Sequence, residues 1–204
     1  MTILEIEQLN NPILRQKARP VTSFDDDLQQ LIDDMIETMR EANGAGLAGP
    51  QVNQRLRLTV VETPPEYDDE GEEIEGSREL LVLVNPEIVW TSHEMVDGIE
   101  GCLSIPGFLG EVERYEAIRV RAQDRRGRKI RLRLKDWAAR IVQHEIDHLD
   151  GVLYIDRLTA PENFWREEDF LAAAEEESQE GATSDGPTQS QDDVDQRTDQ
   201  IPVG

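Results

Sequence analysis

A chain of 204 residues with an apolar fraction of 37% is long enough to bury one sizeable core and to leave polar residues for a tail. Its net charge of −23 argues against binding to nucleic acid or to an anionic membrane surface, since either partner asks for a cationic face. A single cysteine rules out an internal disulfide, no stretch is apolar enough to span a bilayer, and Met1-Thr2-Ile3-Leu4-Glu5 has neither the basic region nor the apolar run of a signal peptide.

A reducing cytoplasm is therefore the expected location, and the carboxylate excess would suit one of high salt. Residues 10–21, with two prolines, predict an extended arm. Thr22 or Ser23 then caps a helix whose Asp25, Asp26 and Asp27 suit its positive end. Leu28, Leu31, Ile32, Met35 and Met39 recur at helical spacing and should face the core, and the helix stops near Asn43-Gly44. The glycines of Gly44 to Gln51 lack the lysine and the preceding strand of a phosphate loop, which leaves a tight turn from helix to strand.

Residues 56–62 and 80–84 predict strands, and residues 63–79 between them, with their prolines and carboxylates, predict an exposed mobile loop. Those carboxylates follow no calcium-caging spacing. His93, among polar residues, reads as part of a solvated turn. Val112 to Gln123 and Lys129 to Leu134 predict strands joined by a hairpin at Asp124-Arg125-Arg126-Gly127, with the arginines on a solvated face.

The next element carries chemistry. Asp136 is placed as an N-cap, Trp137, Ile141, Val142 and Leu149 form an apolar side, and Asp150-Gly151 ends the helix. Four residues advance a helix by just over one turn, so His144 and His148 project from one face and can converge on one ion. Glu145 can reach a water held in an open metal position and take its proton. A catalytic site of this kind needs a third protein ligand. The third histidine of a long zincin signature falls on Tyr154, so that version fails, while Glu162, Glu167 and Glu168 could each supply a carboxylate. Cys102, near Gly98 and Gly101, could instead complete a site of one thiolate and two imidazoles.

Pro161 can start a helix through Phe164, Trp165, Phe170 and Leu171, and residues 179–204, rich in Gln, Ser, Thr and Asp, predict disorder. The implied division is a catalytic domain over 1–160, a C-terminal helix over 161–178 and an acidic tail over 179–204. The fold class is α+β, with antiparallel sheet elements around a central metal-bearing helix and one N-terminal outer helix.

Three separated blocks, Gly44-Ala45-Gly46-Leu47-Ala48-Gly49-Pro50-Gln51, Glu100-Gly101-Cys102-Leu103-Ser104 and Gln143-His144-Glu145-Ile146-Asp147-His148-Leu149-Asp150-Gly151, give the chain a resemblance to the peptide deformylases. The likeness runs from Asn11 to about Leu158, and Ser104 to Leu109 with Asp136 to Arg140 looks nearer to the family's organelle-type branch. The resemblance implies a metal-dependent hydrolase that removes the formyl group from the N-terminal formyl-methionine of new polypeptides and releases formate. It assigns Cys102, His144 and His148 to one divalent metal, Fe2+ by family habit, with Zn2+, Ni2+ or Co2+ as alternatives. Glu145 becomes the general base, and Gln51 and the Leu103 N–H become donors to the oxyanion. Gly46 would bind the substrate backbone, and Ala45 and Ile141 would wall the side-chain pocket. Ala45 stands where the family carries a larger aliphatic residue and Gly49 where alanine is usual, and both bear on the pocket's shape.

Partners implied are the formylated nascent peptide and transient proximity to the ribosome, with the protein a monomer. The acidic tail does not resemble the basic C-terminal helix by which some members are thought to meet the ribosome. Two rivals differ in what they predict. A zinc endopeptidase using a downstream glutamate would keep its metal in Cys102→Ser, and a non-catalytic binder of N-termini would release no formate.

Overall fold

The structure, a computed structural model, describes residues 2–63, 70, 72, 74 and 78–174. A 3-10 turn at Pro12–Arg15 leads to α1 (Asp26–Glu41), β1 (Gly46–Ala48) and a second 3-10 turn at Gly49–Val52. Then come β2 (Leu58–Glu62), β3 (Leu80–Thr91), β4 (Met95–Cys102), β5 (Ile105–Tyr115), β6 (Ala117–Gln123) and β7 (Lys129–Lys135). The chain closes with α2 (Asp136–Asp150), a 3-10 turn at Tyr154–Asp156 and β8 (Phe164–Arg166).

The strands form two antiparallel sheets, one in the order β1-β2-β3-β6-β7 and one in the order β4-β5-β8. α2 packs against β1, β2 and β7 of the first and β5 of the second, which makes it the central helix that the sequence pattern implies. Ala139, Ile141, Val142 and Ile146 on α2 meet Val61, Leu83, Ile118 and Val120 of the large sheet in one core, and Leu14, Ile105, Val112, Leu153 and Tyr154 form another under the small sheet. α1 covers the large sheet from outside through Ile32, Met35 and Met39, which pack with Leu47, Leu58 and Val60. The α+β class holds.

Local rules explain most elements. β6 alternates Ile118, Val120 and Ala122 inward with Arg119 and Arg121 outward, as a strand with one solvated face should. The β6–β7 hairpin closes with Asp124 N–H donating to Arg128 O and with Gly127 at φ 79°. One of its arginines is not merely solvated: Arg125 reaches α1, donating to Gln29 Oε1 and Asp33 Oδ1, and so ties the hairpin to the outer helix.

Several expectations need correction. The cap of α1 is Asp25, whose carboxylate accepts from Leu28 N–H, while Ser23 donates its hydroxyl to Asp25. The charged acceptor takes the cap and the serine supports it. Asp136 begins α2 but caps nothing with its side chain: the N-cap is Lys135, and Asp136 itself sits at φ 52° with its N–H bonded to Glu116 O. Trp137 is 46% exposed and lies off the apolar side.

The strand expected over Val112 to Gln123 is two, because the chain changes sheets at Glu116. Inward positions at 112, 114, 118 and 120 keep one phase across the break, so the pattern cannot mark it. The strand expected to end at Val84 continues to Thr91 through a bulge at Asn85-Pro86, where the side chain of Asn85 (φ 53°) bonds Val21 and Gln123 while its N–H donates to Arg57 O. After Pro161 the chain turns and adds β8 to β5, stacking Phe164 on Phe108 with centroids 5.2 Å apart. Helical residues begin only at 167 and are described to 174. Most of loop 63–79 and all of the tail 179–204 lie outside the described residues. Among the described residues no helix is long and apolar enough to cross a membrane.

Candidate active site

His144 and His148 leave α2 one turn apart and turn their Nε2 atoms to the same point, 3.2 Å from each other. Cys102 ends β4 at a register shift, just before the Leu103-Ser104 turn into β5, and its Sγ lies 3.3 Å from His148 Nε2. The three donor atoms fall within 4.8 Å of one another, and among the described residues this is the group able to hold a metal. Glu162, Glu167 and Glu168 do not join it: Glu162 and Glu168 are exposed, and Glu167 stands on the cleft wall. His93 is exposed in the β3–β4 connection.

The electrostatics behind these ligands are strong. His144 Nδ1 donates to Glu100 Oε2 at 2.9 Å, which leaves Nε2 free for the site. Arg114 grips both oxygens of Glu100 at 2.9 Å, and Arg140 adds a third bond at 2.9 Å. Arg114 also donates to Asp147, which Arg157 holds from the far side through two bonds of 2.6 and 2.7 Å. Burial pushes the Glu100 carboxyl up, but the bonds from His144 and Arg114 outweigh it and bring it down to about 2. Burial likewise opposes ionisation of Cys102, yet His148 and His144 beside it hold the thiol well below its usual range. His148 Nδ1 is buried without a protein partner among the described residues.

Glu145 follows His144 on α2 and lines the same cleft. Its carboxyl is raised above the ordinary value by burial, with the neighbouring His148 and His144 pulling against that. Gly46 of β1 lies so close that an added methyl would meet Glu145 Cδ at 2.7 Å, so only glycine fits. Gln51, 1% exposed, accepts Ala48 N–H on its Oε1 at 2.8 Å. That bond aims its Nε2 at Ser104 Oγ (3.2 Å) and Cys102 Sγ (3.6 Å).

A cavity of about 510 Å³ opens over this cluster. Ala45, Gly46, Gln51, Leu103, Ile141 and Glu145 line it, together with Cys102 and His144, while His148 lies buried behind them. Gly49 lies outside the lining. A methyl there would come within 2.6 Å of Leu56 O and 2.9 Å of Gln54 O, so this glycine serves the packing of the 3-10 turn and not, as the sequence suggests, the shape of the pocket. Reading the sequence assigned nothing to Glu100, Arg114, Arg140, Asp147 or Ser104. Glu100, Ser104 and Asp147 stand inside the three family blocks as charged or polar residues close to the candidate ligands, which is their signal in the sequence; Arg114 carries none.

The family model described as polypeptide deformylase matches residues 3–164. Similar proteins include a peptide deformylase of Symbiobacterium thermophilum, 49% identical over 159 residues that cover 78% of this chain and 68% of that one. Peptide deformylase 2 of Nostoc sp. is 48% identical over 171 residues, covering 82% and 93%. Among solved structures, a peptide deformylase from Thermotoga maritima superposes with a TM-score of 0.70 at 38% identity, covering 78% of this chain and 100% of that one. One from Synechococcus elongatus, in complex with actinonin, gives 0.69 at 39%, covering 80% and 82%.

Proposed function

Since the chain belongs to the polypeptide deformylase family, we propose that Glu145, Gln51 and Leu103 perform on it the reaction of that family. It is a hydrolase that removes the formyl group from the N-terminus of newly made polypeptides. The observation that carries the assignment of residues is the meeting of Cys102, His144, a buried carboxylate and a side-chain amide on one cavity wall, with His148 directly behind them.

The residues fit a divalent ion. Cys102 Sγ and the Nε2 atoms of His144 and His148 converge, Glu100 fixes one ring from behind, and the lowered thiol supplies the charged ligand. A ligand set of one sulfur and two nitrogens accepts zinc, nickel or cobalt, and we assign ferrous iron as the resident metal from the family. When bound, such an ion supplies a Lewis acid that makes water nucleophilic near neutral pH.

Glu145 takes the proton of the water that adds to the formyl carbon, and its raised pKa suits a base that must also act as an acid. Gln51 Nε2, held by the Ala48 bond, and the Leu103 N–H, at the β4–β5 turn, donate to the developing oxyanion. The C–N bond then breaks as Glu145 passes its proton to the leaving amine, and formate departs. Gly46 offers backbone to the peptide, and Ala45 and Ile141 flank the space for a linear methionine side chain. Every group of the site comes from one chain, so a monomer suffices. We place the protein in the cytoplasm, beside the ribosome from which formylated chains emerge.

The test is formate release from a formyl-Met peptide by anaerobically purified protein, with metal content measured on the same sample. Turnover that vanishes in Glu145→Gln while metal stays bound supports the assignment. No turnover in iron, nickel, cobalt and zinc forms alike, each fully loaded, overturns it. Metal retained in Cys102→Ser would return the endopeptidase reading to consideration.

A further inference from the structure

Thr59 is the one hydroxyl in β2, whose sequence Leu58-Thr59-Val60-Val61-Glu62 is buried from Leu58 to Val61. Its own exposure is 0%, and packing alone would be served equally by valine, which has the same shape. A buried hydroxyl is costly unless bonded, so its partners are informative. Thr59 Oγ1 lies 3.3 Å from Glu145 Oε2, 3.0 Å from Leu47 O and 3.4 Å from Val60 O, and Thr59 pairs with Ala48 of β1. The other carboxylate oxygen, Glu145 Oε1, is the atom that lies against Gly46 on the cavity wall.

We propose that Thr59 is a positioning residue for proton transfer: its hydroxyl holds Glu145 Oε2 against β2, so that Oε1, beside Gly46, is the oxygen that takes and returns the proton. The inference rests on Glu145 being the base, as assigned above. A hydroxyl has one proton to give, and a carboxylate is the stronger acceptor, so the bond to Oε2 forms while Glu145 is charged. Leu47 O and Val60 O are the other acceptors within reach, both neutral carbonyls. Without the hydroxyl, the carboxylate can rotate about its last bond, and neither oxygen is reserved for the water.

The experiment compares parent, Thr59→Val, Thr59→Ser and Glu145→Gln, each loaded with the same metal, on a formyl-Met peptide. Metal content and the thermal midpoint are recorded for all four. Thr59→Val should lower kcat about tenfold with KM within about twofold, metal content unchanged and a midpoint within a few degrees. Thr59→Ser should recover kcat to within about threefold of the parent. If the valine protein does not fold, Thr59→Ala removes the same hydroxyl and is read in the same way. A valine variant with parental kcat, a loss confined to KM, or a loss equal in valine and serine overturns the proposal. Activity retained in Glu145→Gln would instead overturn the assignment of the base, so the two failures are separate.

Discussion

Glu100 Oε2 lies 2.9 Å from His144 Nδ1, on the side of the ring away from the Nε2 that meets His148 and Cys102. Through that contact a carboxylate buried to 5% exposure sets the tautomer and the angle of the imidazole proposed as a metal ligand. Its charge is in turn balanced by Arg114 and Arg140, both nearly buried. The consequence is an imidazole held firmly on α2 with its back to a fully bonded ionic group.

Glu100→Gln should weaken metal binding by roughly 10- to 100-fold, since the amide no longer supports the ring with charge. It also leaves Arg114 and Arg140 short of a counter-charge, so the thermal midpoint should fall markedly. Competition with a chelator, followed at a temperature well below the new midpoint, separates the two effects. An unchanged affinity would sink the role given to Glu100.

Gly46→Ala places a methyl against the Glu145 carboxylate and its Cγ, 2.8 Å away. Either the strand or the base must shift. The expected result is a loss of kcat of at least about 100-fold, because misplacement of about 1 Å at a reacting group is that costly. A destabilisation of roughly 1–3 kcal/mol from overpacking should accompany it. Steady-state kinetics and denaturant unfolding on the same preparation check both numbers, and a fully active alanine variant would show that the base sits elsewhere during turnover.

Asp25 caps α1 with its carboxyl below the ordinary value, held there by the Ser23 hydroxyl and by Leu28 N–H. A folded value below the unfolded one means that the group's stabilisation is present above the unfolded value, 3.8, and is lost as pH falls through the lower folded one. Asp25→Ala should therefore lower the thermal midpoint at pH 7 by about 2–4 °C, and the gap between variant and parent should close under acid. Melting curves from pH 7 to pH 2.5 check this, and a gap that stays constant would remove the carboxylate from the account.

What could be read from the chain follows from how local each determinant is. His144 and His148 are four residues apart on one helix, and Glu145 lies between them, so spacing alone placed them together. Cys102 is more than forty residues away, and only the recurrence of its block beside the others singled it out from the three candidate glutamates. Arg114 could not be found at all, because on a strand that alternates inward and outward it occupies an inward position indistinguishable from an error in the pattern. The bulge at Asn85-Pro86 was hidden for a related reason: proline reads as a strand end, and its tolerance depends on Val21 and Gln123, both remote in sequence. Phe164 and Trp165 suit a helix face as well as a strand, and the exposed edge of β5 decided between them.

The origins of the site in the chain set a timetable for its own birth. Gly46 and Gln51 are translated early, Cys102 midway, and α2 with its clamp at Arg157 last. While the ribosome is still extending the chain, β1 and β2 can pair with no base beside them, and Cys102 has no imidazole to meet. The groups that line the cavity can therefore meet only after α2 has been made.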